Sequence, residues 1–327
     1  MIGYVLRRLA LAVSLVWAVS VACFIGFALT FDPLWQLRTC GTPQCHKQIA
    51  QLTVRYHLNK PVFERYWYWL SSLVHHGGFS GIDGSPITTQ LLSSVRVTTE
   101  LLAASLLVTA VFAVIVGIAC ARRPGRPADL VLRTLAYVAW SLPTFLVATV
   151  ALRWLVPTGW FLVGGQVATI NIAVSPGLPG SGFEDWVRGM ALPVLALSLG
   201  LIGLYSRYVR TAMLTELHRP YAVVALSKGL TDRRVAYRHA LRNALAPFVS
   251  VLSLEIGAIL GASLAVDYVF QMGGLASFFL NALSQSADPY VLTAVVVASC
   301  CIVVFFMLVA DLAVGWLDPR TATAASR

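Results

Sequence analysis

Six long apolar runs, at residues 9–31, 101–121, 135–156, 190–205, 248–270 and 291–317, govern what this chain can fold into. A helix that crosses a bilayer needs roughly 20 predominantly apolar residues, and a helix pairs its own backbone groups where no water can. The runs therefore predict an all-α polytopic membrane protein with six transmembrane helices. Only 12% of the 327 residues are Asp, Glu, Lys or Arg, about half the share of an ordinary soluble domain. Six spans occupy about 120 positions, and the rest is too divided for a large soluble catalytic domain. The stretch 163–174 is apolar but short and interrupted by Gly, Gln and Asn, so it is left outside the count.

The charges assign sides. Arg7 and Arg8 precede the first run, and Arg122, Arg123, Arg126 and Arg133 lie between the second and third. Eight more basic residues, Arg207 to Arg242, lie between the fourth and fifth, and Arg320 and Arg327 follow the sixth. Sixteen of the 24 basic residues thus fall on one side, which places both termini in the cytoplasm. A net charge of +10 can signal nucleic acid, but these clusters are separated by spans, and the excess is read as topology rather than as a nucleic-acid surface. The first run is too long for the core of a signal peptide and is read as an uncleaved span. The resulting division is 1–31 for the N-terminus and first span, 32–99 outside, 100–317 for the remaining spans, and 318–327 as a cytoplasmic tail.

The outer segment has a helical pattern. Ile49, Leu52 and Tyr56 share one face before Asn59-Lys60-Pro61, and a second, aromatic helix over 62–74 carries Tyr66, Trp67, Tyr68 and Trp69. At an outer membrane surface such aromatics are read as interfacial anchors, with sugar or peptide binding as the alternative. His75 and His76 are adjacent and would point apart, and no further ligands accompany them, so no metal site is expected. Cys40 and Cys45 are a disulfide candidate in an oxidising compartment, with two free thiols as the alternative. Cys23, Cys120, Cys300 and Cys301 lie in spans and read as packing residues.

Between the fourth and fifth runs, at 209–246, lies the longest cytoplasmic connection. Pro220 suits the first turn of a short helix over 221–228, which Gly229 stops, and Ala222 and Ala225 form a small-residue strip. Thr231 or Asp232 caps a second helix that runs to Asn243-Ala244 and meets Pro247. This is a knob whose small face could enter a partner's groove while arginines pair with acidic groups. A basic amphipathic helix lying on anionic lipid is the alternative that composition alone leaves open.

The pattern Tyr221-x-x-x-Ala225-x-x-Lys228-Gly229-Leu230, followed by Arg234-Val235 and His239-Ala240-Leu241-Arg242-Asn243-Ala244-x-x-Pro247, resembles the coupling-loop signature of binding-protein-dependent ABC importer permeases. More narrowly it is similar to the dipeptide/oligopeptide/nickel permease family in its first-permease (DppB/OppB-like) branch. Tyr4-x-x-Arg7-Arg8-Leu9, Leu58-Asn59-Lys60-Pro61, Thr99-Glu100-Leu101, Ser141-x-Pro143-x-Phe145, Leu192-Pro193, Gly273-Gly274-Leu275, Asp311 and Asp318-Pro319-Arg320 extend the likeness along nearly the whole chain. Pro220, Val223 and Leu226 depart from the family's acidic and basic positions, and His76-Gly77-Gly78-Phe79 replaces its usual outer turn.

The resemblance implies a type I ABC importer permease fold in a bacterial cytoplasmic membrane. It implies a second permease subunit forming a heterodimer, two cytoplasmic ATPase subunits or a fused tandem ATPase, an extracytoplasmic substrate-binding protein, and a peptide substrate moved by alternating access. It casts Tyr221, Ala225, Lys228, Gly229, Arg234 and Arg238 as the lever to the ATPase. The chain has three lysines, none in a phosphate loop, so no cofactor is expected in it, and ATP and Mg are left to the partner ATPases.

Ionisable groups inside a membrane are functional candidates because they are costly there. Glu255, about 12 Å along a helix from Pro247 at 1.5 Å per residue, is expected to face the translocation path and to pair with a substrate amine. Bonds to a neighbouring helix or to the second permease are the alternatives. Asp267, about 120° away on the same helix, is expected at an outer gate, where the resembling family carries acidic residues. Ser141, Pro143 and Phe145 are path or gate candidates, and Pro143 and Pro193 are expected to break their helices. The rival function is an ion-coupled secondary transporter of small polar solutes, but no inverted repeat is evident. An intramembrane enzyme lacks a nucleophile or metal motif in the spans.

Overall fold

The structure, a computed structural model, describes residues 2–40, 42–75, 87–161, 183–285 and 288–317. Their regular structure is all helical, with no strand among the described residues. The helices in chain order are α1 (Ile2–Thr30), α2 (Trp35–Thr39), α3 (Pro43–Arg55), α4 (Val62–His75), α5 (Ile87–Arg122), α6 (Pro127–Ser141) and α7 (Thr144–Leu155). They continue with α8 (Phe183–Leu217), α9 (Pro220–Ser227), α10 (Asp232–Leu254), α11 (Ile256–Phe270), α12 (Leu275–Gln285) and α13 (Pro289–Leu317).

Among the described residues, α1, α5, α8 and α13 are each long and apolar enough to cross a membrane. The other two apolar runs are bent pairs: α6 and α7 meet at 96°, and α10 and α11 at 59°. At the first break Leu142 is extended, and Pro143 precedes the new helix without an N–H to continue the ladder. Pro193, expected to break its helix, does not: α8 runs through it unbroken, since neighbouring groups can satisfy the carbonyl that a proline frees. The fifth run is interrupted at Glu255 instead. The 120° offset between Glu255 and Asp267 therefore falls away, because it assumed one helix. Nor does the second docking helix end near Pro247, which lies inside α10. The stretch 163–174, the turn at 76–79 and the tail 318–327 lie outside the described residues.

The chain divides into two compact units. One comprises Met1–Tyr4, Thr99–Met272 and Val303–Arg327, the other Val5–Thr98 and Gly273–Ile302. The second is built on an aromatic hub. Tyr290 stacks on Tyr56 with centroids 5.3 Å apart, and Phe24 packs against Tyr66, Trp69 and Tyr290. The hub's polar atoms are paired: Trp69 Nε1 donates to the Tyr290 carbonyl at 3.2 Å, Arg65 Nε to Tyr290 Oη at 3.3 Å, and Tyr290 Oη to the Tyr56 carbonyl at 2.9 Å. Tyr66 and Trp69 are thus core residues rather than interfacial anchors, while Trp67 and Tyr68 on the opposite face of α4 are exposed. Cys40 and Cys45 are joined by a disulfide. At the start of α12, the Leu275 N–H is capped by Thr98 Oγ1 of α5 at 3.0 Å.

Asp288 stands just before α13, fully buried, and its Oδ1 accepts from the Tyr290 N–H at 2.8 Å. Oδ2 has no partner among the described residues. Burial pushes the carboxyl from 3.8 up to about 6. Below pH 4 the group is protonated in both folded and unfolded chains. As pH rises toward 6 only the unfolded chain ionises, so stability falls, by roughly 3 kcal/mol once pH exceeds the folded value. Asp288→Asn is expected to remove this slope, which thermal unfolding of solubilised protein between pH 4.5 and 8 would show. Parallel curves for the two proteins would contradict it.

In the other unit α8 is the central element, packed by α6, α7, α10 and α11. Two glycines let backbones touch: a Cβ on Gly203 would lie 2.3 Å from the Ala136 carbonyl oxygen, and one on Gly117 would lie 2.7 Å from the Val209 side chain. The Arg207 guanidinium covers the Tyr137 ring at 4.3 Å and the Trp140 ring at 5.4 Å. Next to it, Arg210 grips the buried Asp129 through two bonds of 3.1 Å, and the Gly125 N–H donates to the same carboxylate at 3.0 Å.

Candidate functional site

The segment between α8 and the break at Glu255 folds into a closed knob. Arg219 is extended and Pro220 opens α9, where its missing N–H costs nothing. Ala222, Ala225 and Val235 form a small buried core, flanked by Leu217 and Leu230. Gly229 turns the chain out of α9 at φ +82°, and its N–H donates to the Leu226 carbonyl at 2.9 Å. Nothing lies within 4 Å of where its Cβ would stand, so glycine is required for its backbone freedom and not for space. Thr231 caps α10 by accepting from the Arg234 N–H. Residues Val235–Ala240 then form a π-helical stretch within α10.

A polar network fastens the knob to its supports. Tyr221 Oη donates to Glu216 Oε2 at 2.7 Å, Asn243 Nδ2 donates to Tyr221 Oη at 3.1 Å, and Arg219 pairs with Glu216 at 3.5 Å. One phenol therefore links the end of α8, the start of α9 and the shaft of α10. Burial, and then the Glu216 carboxylate, push the Tyr221 hydroxyl above its ordinary value. Glu216 was not singled out from the sequence, and no motif marks it; its signal is only the spacing of five residues from Tyr221.

What the knob exposes differs from the expected strip of small residues. Ala222 and Ala225 face inward and shape the knob from within, while Tyr221, Val223, Val224 and Leu226 are exposed. Val223 and Leu226, two of the expected departures from the resembling family's pattern, make this surface apolar. Beside it, Arg234 and Arg238 line an open cleft of about 430 Å³ with Thr231, Arg233 and Tyr237. Lys228 is exposed at the end of α9.

The intramembrane candidates lie at the two helix breaks. Ser141, Pro143 and Phe145 flank the first and are exposed, with Ser141 Oγ donating back to the Val138 carbonyl at 2.9 Å. Glu255 occupies the second, also exposed. The packing of α7 on α11 sets the two broken helix pairs side by side. Asp267, by contrast, is buried in the last turn of α11, where Gln271 turns the chain at φ +51°.

Apolar helices of spanning length, two of the apolar runs broken, and a capped knob between long helices describe a multi-pass membrane protein. The comparison with known proteins places it further: the chain belongs to the family of binding-protein-dependent transport system inner membrane components, which it matches over residues 113–323. It is similar to the oligopeptide transport system permease protein AppB of Bacillus subtilis, at 27% identity over 98% of this chain and 99% of that one. It is similar to OppB of Mycobacterium tuberculosis at 30% identity over 98% and 99%, and to the metal-staphylopine import system permease protein CntB of Staphylococcus aureus at 26% over 99% and 100%. The chain is a transport subunit, and the ion-coupled secondary transporter finds no support.

Proposed function

We propose that this chain is one half of the pore of an ATP-driven importer of peptides, with both termini cytoplasmic. A second permease subunit completes the pore as a heterodimer, two ATPase chains or a fused tandem bind ATP and Mg in the cytoplasm, and an outer binding protein delivers the peptide. The knob enters a cleft on one ATPase through the exposed face of Tyr221, Val223, Val224 and Leu226, while Lys228, Arg234 and Arg238 meet acidic groups around it. Closure of the ATPases on ATP then moves the knob and α10 together. Ser141, Pro143, Phe145 and Glu255 line the path, and Asp267 belongs to its outer gate.

The observation that carries this reading is the knob itself, whose sealed small-residue core and polar tethers make a stiff body with an apolar contact face. A helix merely lying on lipid would need none of these. The names of the similar permeases support peptides as the substrate class.

The test is affinity purification of the tagged chain from gently solubilised native membranes, with mass spectrometry of what accompanies it. A second permease and phosphate-loop ATPases are expected, with the ATPases lost from Gly229→Pro, because proline cannot adopt the positive φ that Gly229 holds. A chain that purifies alone and transports in vesicles without ATP would sink the proposal.

A further inference from the structure

We infer that Arg207, seated on the rings of Tyr137 and Trp140, holds the phosphate of an anionic phospholipid in the leaflet on the knob's side of the membrane. The depth of the residue follows from the chain itself. Along α8, residues 189–206 carry no charge and separate Arg188 from Arg207. At 1.5 Å per residue the two arginines stand about 28 Å apart, close to the roughly 30 Å of a bilayer's hydrocarbon core. Each therefore lies at one boundary of that core, where headgroup phosphates begin. Arg188 finds acceptors in its own chain, the carbonyls of Trp160 at 2.8 Å and Gly159 at 3.2 Å. Among the described residues the Arg207 guanidinium meets rings instead, Tyr137 at 4.3 Å and Trp140 at 5.4 Å, and no carboxylate or carbonyl.

The seat is built from two helices. Arg133, Tyr137 and Trp140 follow one another at four and three residues, which sets them along one side of α6, and the close approach at Gly203 holds that helix against α8. A ring lying over a guanidinium covers a face of its plane and uses none of its five N–H donors, which lie in the plane. Those donors are the unanswered chemistry here. Asp129, one turn along α6 from Arg133, is already taken: Arg210 grips it at 3.1 Å, and Arg133 stands 3.8 Å from it. Arg133, Arg207 and Arg210 are thus answered by one carboxylate, which leaves an excess of positive charge at the boundary.

The chemistry selects the ligand. A planar fork of N–H donors matches two oxygens of a phosphate. The surface around the fork is apolar and open, with Tyr137, Val138 and Trp140 all exposed, and Tyr and Trp rings settle at the level of the headgroups. Acyl chains lie along these side chains while the phosphate meets the guanidinium. A zwitterionic headgroup brings its own cation, which the excess of arginine repels, so phosphatidylglycerol is favoured over phosphatidylcholine.

The experiment takes the protein with the partner chains it holds, delipidated in detergent, and titrates it with either lipid while native mass spectrometry counts the molecules bound. Phosphatidylglycerol is expected to bind its first site severalfold tighter than phosphatidylcholine. Arg207→Gln should lower that affinity about tenfold, the scale of one charge-assisted hydrogen bond. Arg207→Lys, which keeps the charge but not the fork, should fall in between, and Trp140→Leu should lose severalfold. Arg123→Gln removes an exposed arginine from the turn before α6; it measures unspecific attraction and should change nothing. Elution and melting of each variant are compared with the wild type, and if Arg207→Gln fails to fold, Arg207→Lys and Trp140→Leu carry the comparison. Equal affinity for the two lipids, no loss on altering Arg207 or Trp140, or equal losses in Arg207→Gln and Arg123→Gln would each overturn the site. Competition by glycerol 1-phosphate as strong as by the lipid would also overturn it, in favour of a soluble phosphate.

Discussion

Gly203→Leu is expected to leave no folded chain to extract, and Gly203→Ala to leave much less than the wild type. A single methyl at this position stands 2.3 Å from the Ala136 carbonyl oxygen and 3.0 Å from the Trp140 nitrogen, so the obstacle is backbone on both counts. No side chain can rotate away to relieve it. The alternatives are a shift of α6 from α8 or a local distortion, and overpacking of this kind costs about 1–3 kcal/mol for one methyl and more for a larger side chain. In a bilayer the loss is sharper than in water, because helices associate there through close contact of small residues rather than through exclusion of apolar surface. Fluorescence-detected size exclusion of detergent extracts would read the outcome. A Gly203→Leu chain that elutes and melts like the wild type would show that α6 and α8 do not touch in this way.

The second large effect concerns the ion pair that joins the same two helices nearer their ends. Asp129→Ala is expected to destabilise the protein by about 3 kcal/mol, since removing one member of a buried pair strands the other. The carboxylate is 3% exposed, receives both Arg210 nitrogens at 3.1 Å and holds the Gly125 N–H at the turn before α6. Its loss therefore frees a turn as well as a charge. Arg210→Leu should cost a similar amount, leaving Asp129 with the Gly125 N–H and, as its cation, Arg133, whose nitrogen stands 3.8 Å away. The double variant should lose less than the two single losses combined, because each single change already breaks the shared bond. Additive losses in thermal unfolding would mean that the two residues act separately.

The apolar runs made the helices legible, since a long apolar stretch has few alternatives in a bilayer. The breaks were less so. Pro143 and Pro193 carry the same local signal, yet only the first interrupts its helix, because the second sits where α8 is enclosed by neighbours. The break at Glu255 has no proline, and its sequence, Ser253-Leu254-Glu255-Ile256, reads as helix from either side. On α4 the pairing of Tyr66 with Trp69, three residues apart, does mark one face. What lay beyond the sequence was its partner Tyr290, more than 200 positions away. For the knob, the pattern from Tyr221 to Asn243 fixed the turn and the caps. It did not say that the alanines face inward, since that depends on Val235 closing over them. The close approach at Gly203 is invisible for the same reason: its counterpart is a carbonyl, which every residue has.

The unbroken shaft of α10 has a mechanical consequence. From Asp232 to Leu254 it measures roughly 34 Å at 1.5 Å per residue, and the proline within it does not interrupt its course. Tilting a rod of that length by about 10° carries its far end sideways by roughly 6 Å, about the width of a peptide backbone. The far end is where the chain bends and Glu255 stands, so in the importer proposed above a small rotation of the knob would carry Glu255 sideways by that distance.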